Sequence, residues 1–167
     1  MHSRRRRGLP SCPWLGLGLV LGLGLLAACA APGPRVLTQG NGELRRYDTH
    51  GEVQWRMPWG GIHDLHVLAN GHVLVQQGAS AVAEIDPRTC HVVWKYDSAS
   101  ANGNQGKRVE VHAFQPLADG VLMIAESGPA RILEVDRDGR VVAQTPLTVE
   151  HPGPHTDTRL VRKIADD

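Results

Sequence analysis

The stretch IHDLHVLANGHVLV, residues 62–75, is nearly restated as VHAFQPLADGVLMI, residues 111–124. In the alignment His63 falls on His112, Leu68 on Leu117, Asn70 on Asp119 and Gly71 on Gly120, a period of 49 residues. One residue of slippage later, Glu84-Ile85-Asp86 falls on Glu134-Val135-Asp136, and Val92-Val93 on Val141-Val142. A partial unit precedes these, since residues 43–55 match residues 83–94. Another follows, since RLVRKIADD at the C-terminus matches HAFQPLADG. Self-similarity at a fixed period outranks any local reading of secondary structure, because it defines the unit that must be packed.

The unit is made of strands. From Val36 onward no long stretch has helical period. Short apolar runs are separated instead by Gly, Asn-Gly, Asp-Gly and Asp-Pro. HVLVQQ (72–77), AVAEID (81–86), HVVWKY (91–96), GVLMIAE (120–126), RILEVD (131–136) and RVVAQT (140–145) are candidate strands, and the connections DPRTC and DRDG are hairpin-sized. Each whole unit then holds about four strands, and four-stranded units at a period of 40–50 residues are the mark of β-propeller blades. A lone twisted sheet covers neither of its faces; radial stacking buries both and hides the edges. The expected fold is all-β, a partial β-propeller of four-stranded antiparallel blades: half blade 36–57, blade 58–106, blade 107–153 and the start of the next at 154–167. Because closed propellers use four to eight blades, the chain is expected to be a fragment of a longer product or to complete its ring by self-assembly or with another chain. A small open β-meander is the other arrangement the pattern allows.

The first residues are of another kind. Arg4 to Arg7 form a basic run, residues 14–28 are almost wholly Leu, Gly, Val and Ala, and LAAC follows at 26–29. A basic segment, an apolar segment and small residues before a cut describe an export signal, and the apolar run is short of the roughly 20 residues that a bilayer span needs. LAAC resembles the lipobox of bacterial lipoproteins. That resemblance implies a signal peptide at 1–28, lipidation of Cys29, a tether at 29–35, and an exported chain anchored to the cell envelope on its periplasmic side or at the outer membrane. Several acyl chains anchor far better than one. Removing Arg4–Arg7 takes the 18 basic residues to 14 against 17 acidic ones, a net charge of −3. That balance does not favour nucleic acid as a partner. Of the three cysteines, Cys12 leaves with the signal and Cys29 takes lipid, so Cys90 has no intrachain disulfide partner and no CxxC zinc site exists.

RYDTHGEVQW and EIDPRTCHVVW resemble the repeat of PQQ-like propellers, and the half-unit running from His through Leu to Asn/Asp-Gly resembles the related arylsulfotransferase-like secreted propellers. The resemblance covers roughly residues 44–167 and implies the fold more strongly than an activity. PQQ enters by this resemblance alone. The calcium site, catalytic Asp and tryptophan floor of a quinoprotein have no counterpart set here. In sulfotransferase-like propellers one histidine is the nucleophile. The counterpart here is His112, with Arg159 as its cationic neighbour.

His63 and His112 open the repeated half-units, and the third unit carries Arg159 at that place. Imidazoles and a guanidinium around a channel suit an anionic ligand; repetition favours one repeated structural hydrogen bond, because catalysis needs one special histidine and architecture needs all of them. HDLH (63–66) and HPGPH (151–155) could offer further imidazoles from loops, but such spacing is weakly informative, and no metal set is assigned. Trp55 and Trp94 occupy equivalent places and are expected to wedge between blades, with Ala143 in the third unit. Trp59 lies on a Pro/Gly loop and is expected to pack there or line a pocket. Asp48, Asp86 and Asp136 precede the hairpin turns and are expected to cap them. In HTDTRLVRK the charges alternate as on a solvated strand. The reading these residues favour is a binding scaffold at the envelope, for a protein or a small anionic ligand. Its ligand surface is residues 58–64 and 151–159, with His63, His112, His155 and Arg159 as ligand-binding residues. A sulfotransferase-like or quinone-dependent propeller enzyme is the alternative.

Overall fold

The computed structural model describes residues 35–164; the expected export signal, Cys29 and residues 165–167 lie outside the described residues. Eleven strands form three antiparallel sheets among the described residues. The first sheet is β1 (Val36–Gly40), β2 (Glu43–Tyr47) and β3 (Val53–Pro58). The second is β4 (Leu65–Val67), β5 (Val73–Gln77), β6 (Ala81–Asp86) and β7 (His91–Asp97). The third is β8 (Glu110–Pro116), β9 (Leu122–Ser127), β10 (Arg131–Val135) and β11 (Val141–Pro146). In each, every strand pairs with its neighbour in sequence, as a meander. This is an all-β partial propeller. Residues 147–164 carry no strand, so the solvated strand expected over HTDTRLVRK does not form there.

The first sheet has three strands, one more than a half unit. Gly40 pairs with Glu43 across Asn41-Gly42, both at positive φ (53° and 73°), the geometry of a two-residue hairpin whose twist matches its strands. The Asn-Gly signal was present in the sequence, but VLTQG is too polar to stand out as a strand.

The continuous apolar runs follow from double coverage. In the second sheet Val73, Val75, Ala83 and Ile85 face the first sheet and pack with Leu44, Trp55 and Trp59. Leu74, Val82 and Tyr96 face the third sheet and meet Val111, Phe114, Leu122, Ile124, Leu133 and Val135. Both faces of β5 and β6 are therefore buried, and alternation disappears. By contrast, every residue of the outer strand β11 is exposed.

One irregularity recurs in all three sheets. The pairing shifts between Arg46 and Tyr47, between Glu84 and Ile85, and between Glu134 and Val135, leaving Gln54, Val93 and Val142 as the extra residues of the outer strands. Trp55, Trp94 and Ala143 each follow that bulge. The V-x-W motif thus spells a bulge, and the bulge turns the tryptophan toward the next sheet. Trp55 Nε1 donates to Cys90 Sγ at 3.2 Å, and Trp94 Nε1 donates to the Arg137 carbonyl at 2.8 Å. Each therefore reaches the outer hairpin turn of the following sheet. Arg137 also lies over the Trp94 ring, 4.6 Å from its centroid, and pairs with buried Glu84, which His72 holds from the other side at 2.6 Å. The turn-capping aspartates behave as expected: Asp48 accepts from the His50 and Glu52 amides, Asp86 from Arg88, and Asp136 from Asp138 and Arg140, all at 2.8–2.9 Å.

Candidate functional site

Two loops of different sheets meet over the junction of the second and third. Residues 58–64 approach from one side and residues 151–159 from the other, with the start of β8 between them. The open cavity beside them measures about 720 Å³ and is lined by, among others, Gly61, His63, Gln76, Glu110, His112 and, from residues 151–159, His155 alone. The His63 and His112 rings meet edge to face at 4.5 Å between centroids, and the His112 and His155 rings at 5.4 Å. Three of the four ligand-binding residues expected from sequence are thus neighbours. Arg159, exposed, is near enough for its charge to act on His63.

His112 is 3% exposed. Its Nδ1 lies 2.7 Å from the Thr158 carbonyl oxygen, and its Nε2 lies 3.1 Å from Glu110 Oε2. The Thr158 backbone is itself fixed, because its N–H donates to Ser127 Oγ at 3.0 Å and its carbonyl accepts from the same hydroxyl at 3.1 Å. The repeated structural bond expected for the two histidines is not repeated: His112 is tied to Thr158, whereas His63 leans on the His112 ring. Burial, followed by the nearby His112 and Arg159, pulls the His63 imidazole below its ordinary value.

Two residues that carry the site were not singled out from sequence. Glu110 lies two before His112, a spacing that in a strand sets both on one face. Its Oε2 is shared by His112 and by His155 Nδ1 at 2.8 Å, while Arg108 holds Oε1 at 3.1 Å. The bond from His155, with those from His112 and Arg108, outweighs burial and holds the Glu110 carboxyl at about 2. Gln76, 2% exposed, accepts the amides of Ile62 and His63 through Oε1 at 3.2 and 3.3 Å and donates to the Val111 carbonyl at 2.9 Å. It thereby fixes the His63 loop against the strand that carries His112. Trp59 is 7% exposed and donates to the Gln76 carbonyl at 2.6 Å. It is packing beneath the loop and does not line the cavity.

The rest of HDLH is a clamp. Asp64 accepts from the Phe114 amide at 3.2 Å and from Arg162 at 2.8 and 3.1 Å, and His66 Nε2 lies 2.8 Å from the Phe114 carbonyl. Burial raises the Asp64 carboxyl, but bonds from His66, Arg162 and Phe114 outweigh it and hold it at about 2. A carboxylate depressed in the fold contributes stability above its ordinary value of 3.8, and that contribution fades as pH falls toward 2. The urea midpoint is therefore expected to drop between pH 5 and pH 2, and Asp64→Asn to flatten part of that drop. An unchanged pH profile in the variant would show that the clamp does not act.

This architecture has relatives. Residues 30–159 match the PQQ-like repeat family whose model is described as outer membrane protein assembly factor BamB. The chain belongs to this PQQ-like repeat family. Among solved structures, a protein of unknown function from Bacteroides caccae is similar at 22% identity and a TM-score of 0.57, over 76% of this chain and 46% of that one. BamB from Moraxella catarrhalis is similar at 17% identity and a TM-score of 0.46, over 67% of this chain and 32% of that one. The chain thus spans less than half the length of either, and at these identities the likeness is one of fold. No curated protein matches. The second and third sheets each grip the inner segment that follows through the end of their own second strand. Gln76 at the end of β5 holds the Val111 carbonyl, and Ser127 at the end of β9 holds the Thr158 carbonyl. The cavity lies where the first of these grips meets the second.

Proposed function

We propose that the chain is a noncatalytic binding module of the cell envelope, lipid-anchored through Cys29, whose ligand surface is the cavity between residues 58–64 and 151–159 and whose ligand is a protein. The blade limits at 58–106, 107–153 and 154–167 belong to the same proposal. The observation that carries it is that the 58–64 loop and His155 of the 151–159 loop line one open cavity together with Arg108 and His112. Ile62 stands 70% exposed beside it. The family's description as an outer membrane protein assembly factor supports a protein partner and an envelope location. His112 argues against nucleophilic catalysis, since it is buried with both ring nitrogens engaged.

Site-specific photo-cross-linking in cells tests the reading. A photoreactive residue at Ile62 is expected to give one discrete adduct with an envelope protein. The same probe at Val142, 55% exposed on β11, is expected to give none. No adduct at Ile62, or the same pattern at both positions, would overturn it. Cys29→Ser is expected to move the protein from the membrane to the soluble fraction, and retention on the membrane would refute the anchor.

A further inference from the structure

The contacts of His112 bring three potential metal ligands together. A carbonyl oxygen accepts hydrogen bonds, so the Thr158 carbonyl at 2.7 Å requires the proton on Nδ1. Nε2 of the same ring points at a carboxylate oxygen, Glu110 Oε2, 3.1 Å away, and His155 Nδ1 meets that oxygen at 2.8 Å. Two imidazole nitrogens thus converge on one carboxylate oxygen, an arrangement of donor atoms that suits a bound cation. The set around that point is Glu110, His112 and His155, whose ligand atoms all lie within 4.8 Å of one another. Ligands of a tetrahedral ion with bonds of about 2.0–2.1 Å lie roughly 3.3 Å apart, within the spread seen here.

We propose that Glu110, His112 and His155 hold a divalent transition-metal ion of the zinc class at the wall of this cavity. Two imidazoles and one carboxylate suit such an ion, and three protein ligands leave a coordination position open. The outer contacts are those a metal site needs. The Thr158 carbonyl takes the far N–H of His112, and Ser127 fixes that carbonyl. Arg108 holds Glu110 by Oε1 and leaves Oε2 to the histidines. His63, edge-on to His112, fixes the plane of that ring. The open position faces the cavity, where it accepts water or a carboxylate of the bound partner; this last role rests on the binding reading above, whereas the ion itself does not.

The test is a zinc titration of the full-length chain after treatment with EDTA and removal of the chelator, in competition with a chromogenic zinc indicator. One equivalent of Zn2+ is expected to bind. His155→Ala and Glu110→Gln are each expected to weaken it by at least about 10–100-fold. The His155 side chain is 62% exposed, so its removal leaves the fold intact, and an unchanged melting curve verifies this where a His112 variant could simply unfold. With Co2+ in place of Zn2+, a visible absorption band of four- or five-coordinate cobalt is expected, and His155→Ala is expected to lose it. Absence of stoichiometric zinc binding, or wild-type binding by both variants, would overturn the site. Because the titration contains no partner, its failure leaves the binding reading standing. Loss of the Ile62 cross-link with zinc binding intact would overturn only that reading.

Discussion

Phe114→Ala is expected to lower the unfolding free energy by about 3–5 kcal/mol, the range for removing a fully buried aromatic ring. Phe114 is the chain's one phenylalanine and is 0% exposed. It stands in β8 at the junction of the second and third sheets, packed with Leu74, Val82, Ile124 and Leu133. The His66 ring lies 5.4 Å from its own, and its backbone is held by Asp64 and His66. Those clamps resist collapse into the space left behind, which places the loss at the upper part of the range. Phe114→Leu should cost markedly less. Urea denaturation measures both, and the alanine variant should lower the midpoint without changing the slope. A loss below about 1 kcal/mol would mean that the two sheets are not packed against each other.

The second large effect lies at the other end of the same sheet. Glu126 in β9 is 0% exposed and is held by Arg131 Nε at 2.7 Å and by Asn104 Nδ2 at 3.1 Å. Arg131 also donates to the Asn102 carbonyl and to Asn104 Oδ1, both at 3.1 Å, so it ties residues 102–104 to the third sheet. Arg131→Ala leaves a carboxylate buried without its cation and is expected to cost about 3–5 kcal/mol. Removing both charges, as in Glu126→Gln with Arg131→Met, is expected to recover most of that loss, because a buried pair is dear to break and cheap to replace. If the double variant is as unstable as Arg131→Ala alone, the lost side-chain packing and the bonds to residues 102–104 carry the effect, and the charge does not.

The parts of the fold written in the sequence were those whose physics is local. Six strands were marked by apolar runs between turn residues, and the capping aspartates by their place before the turns. The one-residue slip in the repeat is one extra hairpin residue: Gln77 pairs with Ala81, whereas Glu126 pairs with Arg131. What the sequence hid was what neighbours supply. β1 is partly polar and β4 spans only three residues, and each is held by pairing with its neighbour. β8 looked like the opening of a repeat rather than a strand. His63, His112 and His155 stood out because imidazoles are conspicuous and two of them repeat. Glu110 and Gln76 did not, since a lone carboxylate before Val111 and a glutamine at the end of a strand look like solvated residues. Only the stacking of one sheet on the next turns them inward.

The bulge shared by the three outer strands has a consequence for the molecule in a crowded compartment. A flat strand from a stranger, seeking to extend a sheet by backbone pairing, meets a ladder interrupted at the same rung each time and bent out of plane. The motif that aims a tryptophan inward therefore also discourages aggregation along the rim. Because it sits inside the repeating unit, every duplication of that unit would have copied the protection along with the strands.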